Sequence, residues 1–168
     1  MSQVHTLSIL CEDVDGIISR ISGMFTRRAF SILSISSGRT EVEGVNRITI
    51  VLEGEDQVIE QITKQLNKLI PVLKVSRQDP DTTVARGLLM VKVSADAANR
   101  TQVVESAKLF RAHVVDVGAE SVIIEATGSP SKLQALLDIL EPFGIRELVE
   151  SSITAMSRGP KAMYPAKL

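Results

Sequence analysis

One pattern constrains this chain more than any other: the same order of hydrophobic periodicities occurs twice. In the first half, "VHTLSIL" is a short strand-like run, and Ile17, Ile18, Ile21, Met24 and Phe25 then fall on one helical face. "FSILSISSG" and "NRITIVLEG" alternate apolar and polar residues as half-buried strands do, with Gly44 between them suited to a hairpin turn. Val58, Ile59, Ile62, Leu66, Leu69 and Ile70 mark a second helix, Pro71 stops it, and "VLKVS" is a closing strand. The order is β-α-β-β-α-β, the ferredoxin-like plan of four antiparallel strands backed by two helices.

After the polar stretch "SRQDPDTTVARG" the plan restarts. "LLMVKVSA" reads as a strand, and Val103, Val104, Ala107 and Phe110 face one way on a helix. "HVVDVG" and "SVIIEATG" form a hairpin, Ser129-Pro130 starts a helix carrying Leu133, Leu136, Leu137 and Leu140, and "GIRELVESSI" closes the half. The expected class is α+β, two tandem ferredoxin-like domains at residues 4–78 and 87–158, with a linker at 79–86 and a mobile tail at 159–168. A sheet with helices on one face leaves its other face and its edges open. The apolar runs "LSIL", "ILSI" and "ITIVL" therefore predict a partner, most simply a second copy in twofold symmetry.

The residue inventory excludes several functions. Aromatic residues make up 3% of the chain and the net charge is -1, which argues against base stacking and against a basic nucleic-acid footprint. No apolar run approaches the roughly 20 residues of a membrane span, and "MSQVHTLSIL" lacks a signal-peptide pattern, so a cytoplasmic location is expected. His5 and His113 have no acid or second ligand at sensible spacing in sequence and are assigned structural roles. Cys11 is the single cysteine and sits in no catalytic signature. No phosphate-binding glycine loop is present, and Arg27-Arg28 fits cations at a helix C-terminus. The chain reads as non-catalytic, with no metal site and no cofactor of its own.

The turn "CEDVDGIISR" admits two readings. In one, Asp13 or Asp15 caps the helix and Gly16 relaxes the backbone. In the other, the N–H groups of Gly16 and Ile17 receive a carboxylate while Asp13 accepts from an ammonium group, as a free amino acid would require. The C-terminal helix start, "ADAANRTQ", lacks the acidic turn and the glycine, so that half is expected to supply partner contact or dimer stability.

"HTLSILCEDVDGIISRISGMFTRRAFSILSIS" resembles the opening of the small, regulatory subunits of acetohydroxyacid synthase (acetolactate synthase), a family of ACT-domain proteins. The likeness continues through "GVNRITIVLEG", "LLMVKVSADAANR", "LFRAHVVDV", "GSPSKLQALLDILEPFGIREL" and "AMSRG", covering nearly the whole chain in order. It implies an N-terminal ACT domain and a related C-terminal domain. It also implies a homodimer, and a large catalytic subunit that carries thiamine diphosphate, magnesium and FAD and that this chain activates. Feedback inhibition by valine or another branched-chain amino acid, bound at the ACT dimer interface, is implied as well. By position, the effector residues would be Asp13, Gly16 and Ile17 of one chain with Ser31 and Ile32 of its neighbour.

Three positions depart from that pattern. Ser31 stands where the family commonly has asparagine, Ala29 where it has glycine, and Asp15 where ACT domains often have proline. The rival readings are a free-standing ACT-type amino-acid sensor acting on a different protein, and a small ferredoxin-like enzyme.

Overall fold

The computed structural model describes residues 3–28 and 30–164, which divide into two compact units. The first runs to Val84 and takes in the chain again from Thr154; the second is Ala85–Ile153.

The first unit contains β1 (Gln3–Glu12), α1 (Ile17–Thr26), β2 (Ser31–Arg39), β3 (Val45–Gly54), α2 (Asp56–Leu66) and β4 (Val72–Gln78). Its strands lie in the order β2-β3-β1-β4, every neighbouring pair antiparallel. Alternation puts Leu7, Ile9, Cys11, Ile48, Ile50 and Leu52 on the face that the helices cover. Against them α1 presents Ile17, Ile21 and Phe25, and α2 presents Ile59, Ile62 and Leu66, each set at spacings of three or four. Ile18, expected on the buried face of α1, is 45% exposed. The second helix also ends sooner than Pro71 suggested. It stops at Leu66, and Ile70, read as part of its apolar face, is 87% exposed.

The second unit repeats the plan with β5 (Thr83–Ser94), α3 (Arg100–Leu109), β6 (His113–Val117), β7 (Ser121–Gly128), α4 (Pro130–Leu140) and β8 (Ile145–Glu150), its strands ordered β6-β7-β5-β8. Leu89, Val91, Val93, Val122 and Ile124 pack against Val103, Ala107, Leu133, Leu136 and Leu140. The Ser129 hydroxyl caps α4 by accepting from the Lys132 N–H, and Pro130 holds the first helical position, as expected.

Two expectations about boundaries change. The linker assigned to 79–86 holds a short 3₁₀ turn at Pro80–Thr82 and the first residues of β5, so only a few residues separate one strand from the next. A ninth strand, β9 (Thr154–Ser157), was not foreseen. The segment from Thr154 groups with the first unit, where the Arg47 Nη2 donates to the Ala155 carbonyl, the Arg158 N–H to the Thr82 carbonyl and the Ser157 hydroxyl to the Gln78 side chain.

This segment packs on part of the helix-free face of the first sheet. Ser8, Leu10 and Thr49 are buried there, and Met163 packs beside Val42 against Leu10, Val45 and Leu73. Met163 thus lies within the span expected to be a mobile tail, yet it is partly buried. Such packing between positions about 90–150 residues apart leaves no periodic trace in sequence.

Candidate functional site

The turn between β1 and α1 is built by backbone, not by its acids. Gly16 is the N-cap residue in a left-handed conformation (φ +76°), and neither Asp13 nor Asp15 caps the helix through its side chain. The reason is geometric: glycine reaches positive φ without the steric penalty of a Cβ, so the chain reverses and enters the helix directly. Val14 N–H donates to the Glu12 carbonyl, Ile17 N–H to the Val14 carbonyl at 3.3 Å, and Arg20 N–H to the Gly16 carbonyl. The N–H groups of Gly16, Ile18 and Ser19 have no partner among the described residues, while Ile17, expected to offer its own, already uses it. Donors at the positive end of a helix dipole suit an anion such as a carboxylate.

Asp13 and Asp15 are solvent-exposed, and the Ile17 side chain is buried beneath the turn. The Asp13 N–H donates to the Gly44 carbonyl at 2.9 Å, which ties this turn to the β2–β3 loop. That loop shares with Asp13 a cavity of about 560 Å³, also lined by Arg39, Thr40, Glu43 and Asn46. Sequence reasoning treated "TEVEGVN" only as a hairpin. Its role beside Asp13 follows from the pairing of Glu12 with Val45, which no local pattern reveals.

Ser31 and Ile32 open β2, where Ser31 pairs with Glu53 and Ile32 with Leu52. Glu53 and Val45 lie near opposite ends of β3, roughly 26 Å apart at about 3.3 Å per residue. Within one chain, therefore, Asp13, Gly16 and Ile17 sit together at one end of the sheet, and Ser31 and Ile32 at the other. Ala29, whose conformation bears on the start of β2, lies outside the described residues.

The remaining chemistry-bearing side chains are structural. His5 is buried with Nε2 3.0 Å from the Gly54 carbonyl oxygen, and Asp56, distant enough in sequence to be missed, is 3.8 Å from the same nitrogen. Cys11 is fully buried beneath α1. Burial, with the Asp13 charge as a smaller contribution, pushes its thiol up to about 11, which removes the thiolate needed for nucleophilic attack at neutral pH. Arg27 donates from Nε to the Gly23 carbonyl at the end of α1, as its position implied. Among the described residues no cluster of three or more His, Cys, Asp or Glu side chains could hold a metal, and no helix is long and apolar enough to cross a membrane.

Comparison with known proteins bears on this geometry. Residues 7–74 match the model of the AHAS small subunit-like ACT domain, and residues 86–159 match that of the small subunit of acetolactate synthase. The chain is 53% identical over 163 residues to the acetolactate synthase small subunit of Mycolicibacterium smegmatis, covering 97% of this chain and 96% of that one. It is 45% identical over 160 residues to the probable acetolactate synthase small subunit of Methanothermobacter thermautotrophicus, covering 95% of each. The crystal structure of the acetolactate synthase small subunit from Thermotoga maritima superposes with a TM-score of 0.86 at 34% identity, over 95% of this chain and 99% of that one.

Proposed function

The chain belongs to the family of acetolactate synthase small subunits, the non-catalytic regulatory subunits of an enzyme of branched-chain amino acid biosynthesis, and on that premise we propose how it senses its effector. Two copies pair through their first units, and a branched-chain amino acid, valine or a close relative, binds at each end of the joint. One chain contributes the turn Asp13–Ile17; its neighbour contributes Ser31 and Ile32.

The observation that carries this reading is the separation of the two half-sites. A single chain holds them at opposite ends of its sheet, whereas antiparallel pairing of β2 with β2 of a second copy sets the start of one strand beside the far end of the other. That far end, at Arg39, adjoins the Asp13 turn. Of the two edge strands, β2 is the one suited to pairing: from Ser31 to Gly38 it carries no charge and no proline, while β4 carries Lys74 and Arg77. The effector's carboxylate meets the partnerless N–H groups at the start of α1, its ammonium group meets Asp13, and its side chain lies against Ile32.

Binding across the joint favours one arrangement of the pair, and the chain passes that bias to the large catalytic subunit with which it assembles. The effector shifts the complex only by its difference in affinity between two states, typically about 1–3 kcal/mol, so inhibition can be partial.

The test is reconstitution with the catalytic subunit and titration with L-valine, L-leucine and L-isoleucine. Gly16→Asp puts a carboxylate where the effector's own must sit. It is expected to abolish inhibition while co-purification and activation persist. Normal feedback in this variant, or loss of activation with feedback retained, would overturn the site.

A further inference from the structure

The segment that sequence analysis left without a role makes a contact that reaches the effector turn. The β2–β3 loop is closed on itself: the Val45 N–H donates to the Val42 carbonyl, and the Thr40 hydroxyl lies 3.2 Å from the Val42 carbonyl oxygen and 2.9 Å from that of Val45. Through Gly44 the same loop accepts the Asp13 N–H. Its apolar anchor is Val42, which packs, as Met163 does, against the buried cluster of Leu10, Val45 and Leu73. Of these residues Met163 alone comes from outside the sheet and its hairpin.

On one side of the loop lies the 560 Å³ cavity that contains Asp13; on the other lies a cavity of about 220 Å³ lined by Arg47, Met156, Gly159, Lys161 and Met163, and Glu41 borders both. A wall between two voids takes its position from whatever touches it. Here the fixed points are the cluster of Leu10, Val45 and Leu73, against which both Val42 and Met163 pack, and the Asp13–Gly44 hydrogen bond. The segment's own path is anchored upstream by Arg47, whose Nη2 donates to the Ala155 carbonyl and the Ser8 hydroxyl.

We infer that Met163 is a positioning residue for effector binding: by completing the Leu10–Val45–Leu73 cluster on which Val42 seats the β2–β3 loop, it sets where Asp13 and the N–H groups behind it stand. The inference rests on the effector site proposed above. It assigns residues 159–164 to regulation, not to activation, because the contact ends at the sensing turn.

The experiment uses the full chain assembled with its catalytic subunit, inhibited by whichever of L-valine, L-leucine and L-isoleucine is effective. Met163→Ala is expected to raise the half-inhibiting concentration about fivefold, within the range by which residues outside a ligand site modulate coupling. Activation without effector should stay at the wild-type level, Met163→Leu should restore the wild-type response, and Val42→Ala should reproduce the shift from the other side. Adding Val42→Ala to Met163→Ala should then shift it by less than the sum of the two, since both loosen the same cluster. If Met163→Ala leaves the half-inhibiting concentration unchanged while Gly16→Asp abolishes inhibition, the inference fails and the site stands. An equal loss of activation and inhibition in Met163→Ala makes the contact merely structural and also overturns it. If Gly16→Asp leaves inhibition intact, or none of the three amino acids inhibits, the site fails and the inference with it.

Discussion

Phe25 and Phe30 meet edge to face, their ring centroids 6.1 Å apart and their planes at 77°. Phe25 is the last buried residue of α1, and Phe30 immediately precedes Ser31 at the start of β2. The pair thus clamps the end of the helix to the strand that supplies half of the proposed pocket, and the Phe30 N–H reinforces it by donating to the Phe25 carbonyl. Edge-to-face aromatic pairs add about 0.5–1.5 kcal/mol beyond their burial. Phe25→Ala should therefore destabilise the chain by about 3–5 kcal/mol in urea unfolding, the cost of an unfilled core site.

Gly16 separates the backbone requirement from the binding requirement. No atom lies within 4 Å of a Cβ built there, so the whole penalty of substitution is conformational. Gly16→Ala should cost about 1–2 kcal/mol through its left-handed φ. Gly16→Asn, whose side chain tolerates that region, should cost less. A melting-temperature series of the two variants checks this order.

In the proposed pocket, Ser31 would set the reach of the second half-site. An amide offers two donors where a hydroxyl offers one, and extends further from the strand. Ser31→Asn is expected to lower the half-inhibiting concentration of L-valine in the reconstituted complex. An unchanged inhibition curve would show that residue 31 does not limit binding.

Cys11 gives a pH-dependent signature. Its thiol rises from 9.0 to about 11 on folding, so the folded chain holds this proton more tightly than the unfolded chain. Its contribution to stability is complete below pH 9 and is lost as pH rises towards 11. Iodoacetamide labelling of the native protein at pH 8 should run at least about 100-fold slower than that of free cysteine, which is the ratio of thiolate fractions before shielding is counted. Urea should abolish the protection.

How much of this was legible in the letters depends on range. Ile21 and Phe25, or Leu133, Leu136, Leu137 and Leu140, declare their helices because each repeats within one turn of the next. The strands show by alternation, and Gly44 by the positive φ its hairpin turn requires. Gly16 is legible as the pivot of the turn, whereas capping by Asp13 or Asp15, one of the two readings the turn admits, is replaced by backbone geometry. The assembly of Asp13 with Gly44, the approach of Asp56 to His5 and the return of Met163 to Leu10 depend on tertiary pairing. Nothing in a local window records them. Ile70 shows the opposite error, an apolar residue in phase with a helix that had already ended four residues earlier.

The proposed division of one pocket between the two ends of a sheet has an arithmetic consequence. A strand-defective chain paired with a turn-defective one forms two unequal joints: one combines both faults, and the other combines two sound halves. Two variants that are each deaf to the effector as pure dimers should, when mixed and allowed to exchange, recover hearing in one joint of each hybrid.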